Sequence, residues 1–248
     1  MKWQTYCDTI PISQDVVLKT TLYKGDEIME TVIGKKMKFR ARDPLSALTH
    51  FIGFLAVIPP VICLLERSET TAQVISFAIF GISLLLLYGA STIYHTLCLA
   101  PEKIAFLRRI DHMMIFVLIA GTYTPVCMVI LPGIWGKALL AAVWGIAIFG
   151  IFMKIFWMNA PRWLSTLIYV GMGWLAVAAF IPLKRAIGWG GLGMLLAGGI
   201  VYTIGAVIYA LKKPNLAILK SFGFHEIFHV FVMLGSAFHI AFMFLYVL

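Results

Sequence analysis

Long apolar runs follow one another along most of the chain, and each is long enough to cross a lipid bilayer. About 20 consecutive apolar residues span the hydrocarbon core when they form a helix. A backbone in lipid must satisfy its own hydrogen bonds, and the runs lack the alternation of a transmembrane barrel. The pattern therefore predicts an all-α, seven-transmembrane helical bundle. The seven runs lie at 46–66, 71–97, 112–131, 135–157, 163–183, 188–211 and 224–247.

The first 45 residues interrupt this pattern, because they mix acidic and basic side chains with few apolar runs. No apolar core follows the first lysine within the distance typical of a signal peptide. We therefore divide the chain into a polar cytoplasmic tail at 1–45 and a seven-helix transmembrane domain at 46–248.

Composition supports a membrane location for the whole chain. Hydrophobic residues make up 61% of the sequence and charged residues 12%, and the mean hydropathy is +0.94. These values exceed those of a soluble globular domain. The sequence predicts a multi-pass integral protein of the cell membrane, with membrane lipid as its surroundings.

The distribution of positive charge predicts the orientation. Of the 20 Lys and Arg residues, 16 fall in the tail, in the connections after the second, fourth and sixth runs, or, for Lys154, at the end of the fourth run next to its connection. By the positive-inside rule, the N-terminus is cytoplasmic and the C-terminus is outside. The net charge of +9 is then a topology signal, and nucleic-acid binding is not needed to explain it.

Polar side chains inside the runs gather near one end of the bundle. A lone histidine there is more often a helix cap or a headgroup contact, but several polar groups at one depth favour a functional interior. His239 stands apart, about 15 Å along its helix from His229 at 1.5 Å per residue. The clustered residues are His50, Ser91, His95, Asp111, His112, His225 and His229.

Two of these helices carry pairs of polar side chains on one face. Residues four apart share a helix face, so His225 points with His229, and Ser91 points with His95. Three neutral imidazoles, from His95, His225 and His229, give Zn²⁺ three nitrogen ligands and leave a tetrahedral position for water, as in catalytic zinc sites. Asp111 is then a candidate to hold and deprotonate that water, and Ser91 to orient it or polarise a substrate carbonyl.

The stretch HEIFH, at 225–229, also matches the H-E-x-x-H helix of zinc metalloproteases. The common soluble enzymes take a third ligand from downstream, either a histidine six residues past the second or a later carboxylate. Here Gly235 occupies that position, and no acidic residue follows Glu226. We interpret the stretch as an H-x-x-x-H pair and assign no chemical role to Glu226.

Five motifs resemble the hemolysin III family, the bacterial branch of the progestin and adipoQ receptor superfamily, which is related to alkaline ceramidases. The resemblance runs from about residue 42 to the C-terminus. It implies a seven-helix membrane protein with a zinc site near the cytoplasmic face, built from Ser91, His95, Asp111, His225 and His229. The motifs are LYGASTIYHTL (87–97), LRRIDHMMIFVLIAGTYTP (107–125), GMGWLAV (171–177), GGIVYTIGAVIYALKKP (198–214) and HEIFHVFVMLGSAFH (225–239).

One segment departs from the family pattern. The family usually carries two glutamates and an asparagine before the histidine of the first helix, whereas this chain reads RDPLSALTH at 42–50. Asp43 is a candidate substitute for one glutamate, and Ser46 takes the place of the asparagine. We predict no role for this segment beyond packing.

Two kinds of function remain open. In the first, the protein is a zinc-dependent hydrolase that acts on a lipid amide or ester held in the bundle interior, with Asp111 as general base and Ser91 assisting the oxyanion. In the second, zinc is a structural staple, and the protein is a membrane sensor, a regulator or a cytolysin. The sequence assigns no role to His50 or His239.

Overall fold

The computed structural model describes residues 41–131, 133–213 and 223–248, and no strand occurs among them. The predicted all-α class is confirmed. Two short segments, Val126–Ile130 and Met243–Val247, are π-helical, and Trp174–Ala179 is a 3₁₀ helix. Most of the tail assigned to 1–45 lies outside the described residues. The helices are α1 Pro44–Glu66, α2 Thr71–Thr96, α3 Pro101–Pro125, α4 Ile134–Phe156, α5 Arg162–Gly173, α6 Phe180–Leu211 and α7 Phe224–Phe242.

Six helical stretches within the described residues are long and apolar enough to cross a membrane. The fifth of them, Arg162–Leu211, has 50 residues and contains both α5 and α6. Its backbone leaves the helical region at Gly188, where φ is 63° and ψ is −172°. Glycine tolerates this positive φ because it has no Cβ. The break falls at the start of the sixth predicted run, 188–211.

Local sequence signals explain where several helices begin. Proline at the first turn starts α1 and α3, since its fixed φ suits a helix and its missing N–H has no partner to lose there. Thr70 and Gln73 form a capping box at the start of α2. Helix α3 begins at Pro101, well before the apolar run predicted from residue 112. Once started at Pro101, the helix passes through polar sequence before it enters the apolar run.

The core forms around α2, which packs against α1 and α3, while α6 packs against α7. Lipid offers no hydrophobic drive between helices, so close contact between helix backbones carries much of the packing. A Cβ at Gly198 would lie 2.8 Å from Nε2 of His239, so this glycine lets α6 approach α7. At Gly171 and Gly173, by contrast, nothing in the described structure lies within 4 Å of an added Cβ, so these two glycines do not mark a close contact between helices.

A cavity of about 1140 Å³ lies inside the bundle. This volume is slightly above the range of roughly 300–1,000 Å³ that is usual for ligand sites. One end is polar and includes His95, Asp111 and His225, whereas Leu118 and Leu192 belong to its apolar wall. The fold therefore provides a long, largely apolar chamber with a polar end.

Candidate metal centre

Three histidines meet at the polar end of the cavity. His95 lies in the last turn of α2, and His225 and His229 lie in the first two turns of α7. One ring nitrogen from each lies within 4.8 Å of the other two. The structure thus brings together all three histidines that the sequence suggested as metal ligands, in an arrangement that can hold a metal ion.

The ring of His95 is held from its far side by Asp43, the residue before α1. Nδ1 of His95 lies 3.0 Å from Oδ2 of Asp43, and Nε of Arg42 donates to the same oxygen at 2.9 Å. A carboxylate only accepts hydrogen bonds, so Nδ1 of His95 carries the proton and Nε2 keeps its lone pair. Histidine ligands of metals are commonly oriented by such a carboxylate.

The Asp43 carboxyl is suited to this role because it stays ionised. Burial raises its pKa, but the hydrogen bond from His95 and the charge and hydrogen bond of Arg42 outweigh burial, so the pKa lies below its usual value. An ionised Asp43 favours the tautomer of His95 that presents Nε2 to the cavity.

The ring of His229 is oriented in the same way, by a hydroxyl of α1. Oγ1 of Thr49 lies 3.1 Å from Nδ1 of His229 and donates to the backbone oxygen of Ser46 at 2.9 Å. Since its single proton goes to Ser46, the Thr49 oxygen accepts from Nδ1 of His229. His229 is 2% exposed, and its Nε2 is left with a free lone pair.

The spacing between two of the rings suits a shared ion. Nε2 of His225 lies 3.1 Å from Nε2 of His95. Two nitrogens bound at 2.0–2.1 Å to one tetrahedral ion lie about 3.4 Å apart. The two atoms therefore need only a small adjustment to share an ion, and without one they can share a proton.

Glu226 does not belong to the histidine cluster, although it lies next to His225 in sequence. One carboxylate oxygen accepts a hydrogen bond from the Ser46 hydroxyl at 2.5 Å, and the other accepts from the backbone N–H of Gly223 at 2.8 Å. Glu226 therefore caps α7 and ties it to α1. This is a structural role that the sequence analysis did not assign.

Asp111 and Ser91 lie beside the histidines in the cavity wall. Both are buried, with Asp111 on α3 and Ser91 one turn before His95 on α2. The Ser91 hydroxyl lies beside the Asp111 carboxyl, yet it makes no well-formed hydrogen bond within the described structure. Asp111 makes no ion pair with Arg108 among the described residues, so the helix-surface pair that sequence spacing allowed is absent.

Two other histidines, His50 and His239, lie at different distances from this centre. His50 stacks on His229 with ring centroids 3.6 Å apart, and it packs edge-on against Tyr88. His239 lies further along α7 and stacks on Tyr202. Neither belongs to the group whose nitrogens converge.

The sequence did not reveal the part that α1 and the residues before it play. Packing alone was expected of the segment 42–50, but Asp43, Ser46 and Thr49 each hydrogen-bond to a residue at or next to the histidine cluster. The periodicity gave one usable signal, because Asp43, Ser46 and Thr49 recur every three residues and His50 follows four after Ser46. Such spacing gives one polar face to the start of an otherwise apolar helix.

Comparison with known sequences identifies the relatives of this chain. The sequence pattern of the family described as Haemolysin-III related matches residues 40–240. The chain is 40% identical over 195 residues to the Hemolysin-3 homolog of Bacillus subtilis (strain 168), covering 77% of this chain and 88% of that protein. It is 38% identical over 203 residues to Hemolysin-3 of Bacillus cereus, covering 81% and 89%.

A more distant similarity reaches a receptor from an animal. The chain is 27% identical over 215 residues to the adiponectin receptor protein of Drosophila melanogaster, covering 77% of this chain and 47% of that protein. The six apolar helices and the bacterial relatives agree on a multi-pass integral membrane protein, with a plasma-membrane location. The match over 40–240 shows that the chain belongs to the Haemolysin-III related family.

Proposed function

We propose that the protein is a zinc-dependent hydrolase that cleaves an amide or ester bond of a lipid within the bundle. His95, His225 and His229 would hold the ion. The donor set fits zinc, because three imidazoles with an open fourth position are a known plan of catalytic zinc sites. Two of the three rings already have their second nitrogen engaged, by Asp43 and Thr49, which is how proteins orient histidine ligands.

Zinc bound there would supply Lewis-acid chemistry, lowering the pKa of a water molecule and polarising a carbonyl. The carboxylate of Asp111 takes the proton of the attacking water and then gives it to the departing amine or alcohol. The Ser91 hydroxyl, which lacks a well-formed hydrogen bond among the described residues, donates to the carbonyl oxygen as negative charge develops on it. The water oxygen bonds to the carbonyl carbon, and the carbon–nitrogen or carbon–oxygen bond breaks.

The cavity supports a lipid substrate. Its volume of about 1140 Å³ and its apolar wall suit an alkyl chain. The histidines, Asp111 and Ser91 all lie at the polar end, so a chain in the apolar part leaves its carbonyl near the proposed water. A soluble substrate would gain little from such a wall.

We infer further that the two parts of the stretch Arg162–Leu211, before and after Gly188, cross the membrane separately, so that the bundle has seven spans. The break at Gly188 follows Lys184 and Arg185, two charges that favour a position at the membrane surface. The N-terminus is then cytoplasmic, the C-terminus is outside, and the histidine centre is near the cytoplasmic face. A reporter fused after Leu248 should be accessible from outside the cell, and a cytoplasmic signal from it would contradict this topology.

A single observation carries the proposed activity, namely that three histidines, a carboxyl and an unpartnered hydroxyl meet at the end of a large apolar cavity. The direct test is product release by the purified protein from a panel of lipid amides and esters. Activity should disappear after chelation and return with added zinc. No product from any lipid, by a zinc-loaded protein, would contradict the hydrolase.

A second candidate is a structural zinc that ties α2 to α7 in a membrane sensor, regulator or cytolysin. The observation that favours it is the set of hydrogen bonds from α1 and the residue before it, which makes the histidines part of a three-helix anchor. In that case zinc removal lowers the thermal stability of the protein and leaves no enzymatic activity to lose.

A further inference from the structure

Besides Arg42, which is paired with Asp43, three positively charged side chains line the cavity at the same end as the histidines. Arg108 comes from the second turn of α3, Lys154 from the last turn of α4, and Arg162 from the first residue of α5. None of them takes part in the metal centre or in the proposed hydrolysis. Their position therefore needs an explanation of its own.

Lys154 is the most unusual of the three, because it is only 2% exposed. Its ammonium group donates one hydrogen bond, to the Ser165 hydroxyl at 2.6 Å. An ammonium has three protons to donate, and a buried charge without an opposite charge is costly. The positive-inside rule accounts for charges at the membrane surface, but it does not account for a lysine that is buried in the wall of a cavity.

The two arginines add to the same positive field. Arg108 lies close enough to Lys154 to interact with its charge, and its Nε is buried without a hydrogen-bond partner in the described part of the chain. Arg162 lies over the Tyr209 ring, 5.6 Å from its centroid. It also stands at a helix N-terminus, where the helix dipole disfavours a cation.

No carboxylate among the described residues lies within ion-pair distance of this cluster. The two ion pairs found among the described residues are both made by Asp43, one with Arg42 and one with His95. A neighbouring polar group is also left over, since Oγ1 of Thr166 is buried, faces the same cavity and has no hydrogen-bond partner there. The cluster thus combines unpaired positive charge with unused hydrogen-bond capacity, which is the complement of an anion.

We propose that Arg108, Lys154 and Arg162 bind the phosphate group of a lipid whose chains occupy the apolar part of the cavity. Phosphate fits better than a neutral head group because it offers several acceptor oxygens, and arginine binds it through paired hydrogen bonds. The apolar wall explains why the phosphate belongs to a lipid. The phosphate site itself does not depend on the proposed function. Only its consequence rests on that function, namely that the lipid to be hydrolysed carries a phosphate.

Binding can be tested without turnover by using an ether lipid, which has no carbonyl to cleave. The full chain, purified in a non-ionic detergent, is titrated with a short-chain dialkyl ether glycerol phosphate, and thermal stabilisation gives the affinity. The neutral dialkyl glycerol and inorganic phosphate are titrated in parallel. We expect the ether phosphate to bind at least tenfold more tightly than either of them, because only it satisfies both parts of the site.

Variants identify the residues that bind the phosphate. Lys154→Met should weaken binding of the ether phosphate roughly ten- to a hundredfold, as expected for the loss of a charged hydrogen bond. Its unfolding temperature without ligand should not fall, since the variant removes an unpaired buried charge. Lys137→Met makes the same change at the exposed, opposite end of α4 and should bind like the wild type.

If Lys154→Met does not fold, Arg162→Gln at the exposed start of α5 tests the same site, with an expected loss of at least threefold. Equal affinity of the wild type, Lys154→Met and Arg162→Gln would overturn the proposal. Equal binding of inorganic phosphate and the ether phosphate would contradict a lipid source. A protein that binds the ether phosphate as expected but hydrolyses no lipid would count against the hydrolase and leave this site intact.

Discussion

The two ends of α7 carry buried histidines in different surroundings. His229, near the start of the helix, has the imidazoles of His50, His95 and His225 beside it, and its Nδ1 is hydrogen-bonded to Thr49. His239 is also buried, but it stacks on Tyr202, and its Nδ1 has no hydrogen-bond partner in the described structure. The two residues have the same chemistry and similar burial, so neither property marks a metal ligand.

The two ends differ in whether several ring nitrogens converge on one point and in whether other side chains orient the rings. At the first end, Asp43 and Thr49 fix which nitrogen of His95 and of His229 faces the cavity. At the second end, the Tyr202 hydroxyl bonds to Ser236, and the histidine fills space against Gly198. A ligand set is therefore recognised by the residues that orient it.

The largest effect should come from removing the ligands themselves. His95→Ala, His225→Ala and His229→Ala should each reduce bound zinc from about one ion per chain to a small fraction, because two nitrogens hold the ion far less well than three. His239→Ala is the matched control, on the same helix as two of the ligands, and should retain zinc. Elemental analysis of the purified proteins measures this, and full zinc in all three ligand variants would refute the centre.

A smaller but still large effect is expected from Asp111→Asn. The amide cannot accept the water proton, so turnover of a lipid amide or ester should fall by roughly 10²–10⁴-fold, while zinc content stays unchanged. Product release by mass spectrometry provides the measurement. The opposite result, with Asp111→Asn active and Glu226→Gln inactive on peptides, would indicate metalloprotease chemistry.

The residues that orient the ligands should contribute less than the ligands. Asp43→Asn removes the charge that holds Nδ1 of His95 and should weaken zinc binding about 10- to 100-fold, as measured by competition with a coloured chelator. Thr49→Val, which releases Nδ1 of His229, should weaken it less. Thr92→Val is a control, since among the described residues its hydroxyl bonds only to the Tyr88 backbone oxygen. An equal loss there would mean that the effects are not specific to the ligands.

Glu226→Gln should have the smallest effect. It weakens the cap of α7 and the bond to Ser46, and comparable helix caps are worth about 1 kcal/mol. Thermal unfolding should therefore shift down by a few degrees, with zinc content and turnover nearly unchanged. A loss of zinc comparable to that of His225→Ala would show that Glu226 belongs to the metal centre after all.

The sequence predicted those parts of the molecule that depend on spacing along one helix. The apolar runs gave the helical class, and the i, i+4 spacing of His225 and His229 gave one face of the centre. The hydrogen bonds of Asp43, Ser46 and Thr49 were not predicted, because they join residues 52 or 180 positions apart. Such pairs depend on how the helices pack, and no single-helix pattern contains that information.

The cluster around Lys154 escaped prediction for a related reason. Lys and Arg near helix ends were counted as topology signals, and the same residues satisfy that rule whether they face water or the interior. Only the packing of α4 against α5 shows that Lys154 is buried against Ser165. The orientation of a charged side chain at a helix end is thus set by tertiary structure.

The central claim is that His95, His225 and His229 together bind one zinc ion, and X-ray absorption at the zinc edge of the wild-type protein tests it most directly. The account predicts three nitrogen ligands with imidazole scattering at about 2.0–2.1 Å, one oxygen ligand and no sulfur. His239→Ala should give the same spectrum. A spectrum dominated by sulfur, or by six oxygens, would contradict the three-histidine centre.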